Sequence, residues 1–98
     1  MATFPCLHCE AAISPPELLT RDLRYLAPCR RFAAPCPRCG KDLEFQVARG
    51  RIDLGFTYAA GSLHFEPMVS HRVAGLRVVR MGDAAAIDFA GQRYNARS

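Results

Sequence analysis

A chain of 98 residues with 13 basic and 9 acidic side chains, formally +4, has room for one hydrophobic core and not for two, so residues 1–98 are expected to form a single domain. Half of the residues are hydrophobic, yet many of these are alanines that bury little area, which makes a thin core the expectation. No apolar run approaches the ~20 residues that a membrane-crossing helix needs, and the charge excess falls short of the strongly basic face of a dedicated nucleic-acid binder.

Met1 to Pro5 has neither the charged start nor the apolar stretch of a secretory signal, so a reducing, cytoplasmic location without membrane attachment is expected. Phe4 to Glu10 reads as a short loop carrying Cys6 and Cys9. A helix is predicted over residues 15–27. Ser14 is its N-cap, Pro15 and Pro16 suit the first helical positions, and Glu17 completes a capping box. Leu18, Leu19, Leu23 and Leu26 fall near helical spacing, Arg21, Asp22 and Arg24 are left for the wet side, and Pro28 ends the segment. At about three turns, such a helix is stable only when packed on something else. Cys29-Arg30-Arg31-Phe32 then leads into a second cysteine loop, Cys36-Pro37-Arg38-Cys39-Gly40.

From there the period changes to two. Leu43, Phe45 and Val47, then Ile52, Leu54, Phe56 and Tyr58, alternate with polar residues or glycine on either side of Arg49-Gly50-Arg51, the pattern of an antiparallel hairpin. Ala59 to Ser62 is predicted as a loop, and Leu63 to Phe65 as a short strand stopped by Pro67. Leu76 to Met81 and Ala84 to Phe89 flank the turn Gly82-Asp83, and Gly91-Gln92 turns the chain into a last strand at Arg93 to Asn95.

Two Cys-x-x-Cys units in a reducing compartment point to metal before disulfides, and an odd fifth cysteine, Cys29, fits a disulfide framework poorly. Zinc, with no geometric preference of its own, is satisfied by four thiolates at ~2.3 Å, so Cys6, Cys9, Cys36 and Cys39 are the expected ligands of one structural ion. The 26 residues between Cys9 and Cys36 need only bring the two loops together. Replacement of one ligand by Cys29 or His8 stays open. Structural zinc contributes ~10–16 kcal/mol of apparent binding energy in small peptides, against ~5–15 kcal/mol for the stability of a whole domain. Loss of the metal is therefore expected to unfold at least the N-terminal half.

At these residues the chain resembles the zinc-ribbon and rubredoxin-like knuckle proteins, whose usual loop is Cys-Pro-x-Cys-Gly. Cys36 to Gly40 matches it at every specified position; Cys6-Leu7-His8-Cys9-Glu10 matches only at the cysteines, and Glu10 replaces a glycine that would adopt a left-handed conformation. The resemblance covers residues 4–45. It implies a structural metal, with nucleic-acid binding, protein docking or a simple folding clip as the roles such ribbons serve.

Arg30, Arg31, Arg38 and Lys41 cluster around the second loop. They are candidates for nucleic-acid phosphate contacts, or they offset the net −2 of four thiolates around a divalent ion, which would bring the formal +4 down to +2. A four-cysteine shell leaves no open position for a catalytic water. His64 and His71 lack metalloprotease spacing, and Ser62 and Ser70 lack a nucleophile elbow, so no enzyme activity is expected. The expected architecture is α+β: an N-terminal zinc ribbon with an inserted helix (residues 1–45), followed by a small antiparallel sheet (46–98). The expected role is an interaction or adaptor module in a larger assembly, contacting a protein partner or a second copy through Leu7, Phe32 and the apolar face of the C-terminal hairpin. A nucleic-acid-binding accessory protein is the alternative. Thiol redox chemistry is a third reading, weakened because such pairs normally open a helix after a strand.

Overall fold

Short alternating segments punctuated by glycine turns favour strands, and the backbone follows them almost throughout. The computed structural model describes residues 3–59 and 61–97. Its elements run β1 (Phe4–Pro5), β2 (Ala12–Ile13), α1 (Pro15–Leu19), β3 (Arg24–Leu26), β4 (Arg31–Pro35), β5 (Asp42–Ala48), β6 (Arg51–Phe56), β7 (Glu66–Arg72), β8 (Arg77–Met81), β9 (Ala84–Phe89) and β10 (Gln92–Asn95). β1 and β2 form a two-stranded ribbon, β3 to β7 a five-stranded meander, and β8 to β10 a three-stranded meander, with every strand pair antiparallel. With 51% of the described residues in strands and 5% in helix, the α+β expectation is overturned, and the protein is nearly all β.

The helix accounts for that correction. It starts as predicted, with the Glu17 carboxylate accepting from the Ser14 N–H at 2.9 Å, but it stops at Leu19 instead of running to residue 27. Asp22 takes a left-handed φ of 41°, and the chain re-emerges as β3, burying Leu23 and Tyr25 at period two. Leucines at 19, 23 and 26 fit helical steps of four and three, while Leu23 and Tyr25 fit period two, and the sheet decides: Tyr25 lies opposite Phe32 with ring centroids 5.0 Å apart, and Phe32 opposite Phe45 at 6.0 Å. Phe32 is therefore core, at 1% exposure, and not an exposed contact residue. β4 is buried from Arg31 to Ala34 and shows no alternation, which hid it from a periodicity reading.

The β5–β6 hairpin forms as expected, with Ala48 opposite Arg51 across Arg49-Gly50 and Gly50 at φ 73°. β7 begins after Phe65 and runs through Pro67. A proline is tolerated there because β7 is the outer strand of its sheet. Of the loop predicted over Ala59 to Ser62, residue 60 lies outside the described residues. The last three strands match the predicted hairpins, but β9 turns Ala85, Ile87 and Phe89 inward, so the apolar face of the C-terminal hairpin is core and not a free surface. One cluster unites these residues with Phe4, Ile13, Leu18, Leu43, Phe45, Leu54, Val73 and Leu76, and Leu7 packs at its margin.

On the other face of the large sheet, Arg31 and Glu44 are covered by residues 61–65. Buried Arg31 is the tether: it pairs with Glu44 at 3.0 Å, donates to the Ser62 carbonyl, and lies 4.8 Å above the Phe65 ring. Glu44 also accepts from the Gly61 N–H at 3.1 Å. Gly55, at the β-bulge, makes room for this arrangement, since a Cβ there would lie 2.7 Å from the Phe65 ring and closer still to the Glu66 carbonyl.

Candidate metal centre

Each Cys-x-x-Cys unit occupies the tip of a hairpin. β1–β2 closes one at Pro5 opposite Ala12, and β4–β5 closes the other at Pro35 opposite Asp42, so the two tips span equivalent positions thirty residues apart. Their backbones repeat each other. Cys6 N–H donates to the Ala11 carbonyl at 3.0 Å and Cys36 N–H to the Lys41 carbonyl at 2.9 Å, while Glu10 and Gly40 return N–H bonds of 3.0 Å to the first cysteine's carbonyl. In both tips the second residue after the first cysteine points its N–H at that sulfur: His8 to Cys6 Sγ and Arg38 to Cys36 Sγ, each at 3.3 Å. Glu10 adopts the left-handed geometry, at φ 63° against 78° for Gly40, so the first loop is built like the second without its glycine.

The four sulfurs lie within 4.8 Å of one another, with Cys6–Cys39 and Cys9–Cys36 both at 3.8 Å. A tetrahedral ion bonded to four sulfurs at ~2.3 Å has edges of about 3.8 Å, whereas a disulfide brings sulfurs to about 2.0 Å. The cluster thus has the size and donor chemistry of a four-thiolate metal centre. The first cysteine of each pair is buried and the second exposed, so the centre seals the core on one side and meets solvent on the other.

Electrostatics follow from crowding. Burial resists ionisation of Cys36, but the N–H groups of Cys39 and Arg38 and the neighbouring thiols of Cys6 and Cys39 prevail and bring its pKa from 9.0 to about 7. For Cys9 the backbone bond from Ala11 favours the thiolate, yet desolvation and the three adjacent thiols outweigh it and push the pKa up to about 11. Without a cation the cluster does not hold four negative charges at neutral pH; a divalent ion supplies what is missing.

Other candidates fall elsewhere. Cys29 stands in the β3–β4 turn with its thiol on the Leu26 carbonyl, outside the cluster, and His8 is exposed with its ring edge-on to Phe56 at 5.9 Å. Of the predicted basic group, Arg31 is 1% exposed, Arg38 pairs with Glu17 at 2.9 Å, and Arg30 and Lys41 are exposed. Arg38 thereby ties the second tip to the helix. His64 stacks on Tyr58 at 4.2 Å, and half-buried His71 stacks on Phe4 at 5.8 Å, its Nε2 enclosed without a partner among the described residues. Neither Cys-x-x-Cys pair opens a helix.

Fold and site together define a small antiparallel β protein with a four-cysteine cluster of zinc-ribbon type at metal-binding distance. Comparison with protein-family models, with curated proteins and with solved structures gives no match.

Proposed function

We propose that the protein is a non-enzymatic zinc protein in which Cys6, Cys9, Cys36 and Cys39 hold one structural ion, and that it serves as an interaction module within a larger assembly. The observation that carries the metal reading is the agreement between the 3.8 Å sulfur separations and the edge of a zinc–thiolate tetrahedron. Four thiolates complete the shell, so the ion acts as a clip between two hairpins and offers no site to a substrate. The interaction reading is supported by large apolar side chains left in solvent: Phe56, against His8 of the first tip, at 42% exposure, and Tyr58 at 86%, Leu63 at 80% and Met68 at 51%.

Elemental analysis and native mass spectrometry of protein purified without chelator test the first part. The expected result is one zinc per chain, lost on Cys36→Ser; a cooperatively melting chain without stoichiometric metal, or one carrying iron, overturns it. Size-exclusion with light scattering tests the second, where a complex or self-associated species weakened by Tyr58→Ser plus Leu63→Ser is expected and a strictly monomeric, partner-free chain counts against it.

A further inference from the structure

Topology assembles a second basic surface from residues that the sequence scatters. Arg49, at the β5–β6 turn, lines two neighbouring clefts of about 340 and 400 Å³, one shared with Val47, Arg77, Val78 and Arg80 and the other with Gly50, Arg51 and Arg72. All five arginines are exposed. Arg51 and Arg72 lie directly opposite each other across β6 and β7, a like-charge pair that costs stability unless an anion sits between them.

Little offsets this charge from within. Asp53 pairs with Arg51 at 3.2 Å, and Asp88, opposite Arg77 in register, has its carboxylate held by Arg93 at 2.8 and 3.1 Å. Among the described residues Arg49, Arg72, Arg77 and Arg80 form no ion pair. Five of the 13 cations therefore gather beside two of the 9 acids, while the cations around the second metal loop include two that are paired internally. With four thiolates and a divalent ion contributing −2, this surface holds the positive excess of the whole molecule.

We propose that this surface binds the phosphate backbone of a nucleic acid, Arg49 bridging successive phosphates in the two clefts. Guanidinium forks match phosphate oxygens two at a time, and two open clefts joined at one arginine suit an extended polyanion better than a single phosphate. Among the described residues no aromatic side chain lines either cleft, so bases are not stacked and recognition is independent of sequence. Among the described residues the clefts are lined by no apolar side chain larger than valine, which disfavours an anionic membrane as the ligand.

Fluorescence anisotropy of the full, zinc-loaded chain with a labelled 20-base-pair duplex and the matching single strand tests this. Binding of roughly 1–100 µM at near-physiological salt is expected, weakening roughly 40- to 150-fold for the duplex between 50 and 200 mM salt for three to four phosphate contacts. Arg49→Ala/Arg72→Ala/Arg80→Ala should lose about tenfold or more and flatten the salt slope, while Arg30→Ala/Lys41→Ala stays within about twofold. If the triple variant fails to melt like the parent, Arg80→Glu on the exposed face of β8 reads the same contact. Three results overturn the proposal: no binding at 50 mM salt, equal loss in the Arg30/Lys41 variant, or tighter binding to phosphatidylserine vesicles than to either oligonucleotide.

Discussion

Arg31 and Glu44 show how one buried charge depends on another. Their side chains are 1% and 10% exposed, and each also binds backbone of the 57–65 loop. Removing one partner leaves the other desolvated and unpaired, so Arg31→Ala should cost about 3–5 kcal/mol in denaturant unfolding. Arg31→Met combined with Glu44→Leu should cost less than Arg31→Ala alone, because no stranded charge remains; equal or additive losses would mean the ion pair is not the tether. Glu10 is the second residue with a testable burden. Its left-handed φ of 63° is unfavourable for a side chain by about 1–2 kcal/mol, partly offset by the extra chain entropy glycine loses on folding. Glu10→Gly should therefore raise stability by up to about 1 kcal/mol, and Gly40→Glu should lower it by a similar amount, both read from thermal melts of the metal-loaded protein.

Among the elements, the β1–β2 ribbon has the least support of its own. It has two residues in each strand, and an isolated two-stranded hairpin is marginal in water. What holds it is burial of Phe4, Cys6 and Ile13 and, with an ion in the cluster, the bridge this would form to the β4–β5 tip. Closing the span between Cys6 and Cys36 is worth roughly 3–4 kcal/mol in chain entropy, on the scale of a disulfide of the same loop length. Chelation is expected to release this ribbon first, seen as loss of amide protection at residues 4–13 ahead of β5 and β6 in hydrogen exchange. Metal binding is also a proton equilibrium. Thiols held protonated at neutral pH, such as Cys9 with a pKa near 11, must give up protons to the solvent when the ion enters. Apparent affinity should thus fall as pH drops from 8 to 6, with more than one proton released per ion at pH 7, measurable by calorimetry in buffers of different ionisation enthalpy. A pH-independent affinity would mean that the thiols are not the ligands.

The molecule as a whole is a two-stranded ribbon and two meanders sharing one core, with the cysteine cluster between the β1–β2 and β4–β5 tips and the arginine clefts around the β5–β6 turn. Cys29→Ser should leave metal content and melting unchanged, whereas Cys6→Ser should abolish stoichiometric metal; the reverse would put the centre in the wrong place. Much of this was legible beforehand. The cysteine spacing named the four clustered residues, period-two alternation located β5 and β6, and glycine turns bounded β8, β9 and β10, because a strand with one wet face writes its geometry into every second residue and a tight turn writes its own into a glycine. The β3–β4 hairpin was not legible. Its leucines follow helical steps of four and three, and β4 is covered on both faces, so only the pairing of Tyr25 with Phe32 and of Phe32 with Phe45 resolved it. The charge map was likewise decided in three dimensions, since Arg31 is captured by Glu44 and Arg38 by Glu17, while Arg49, Arg72 and Arg80 meet across separate strands. Local chemistry such as thiol pairs and turn glycines acts over a few neighbours and survives in the linear text; which charges are neutralised and which remain free depends on contacts between distant residues, and those exist only once the sheets have packed.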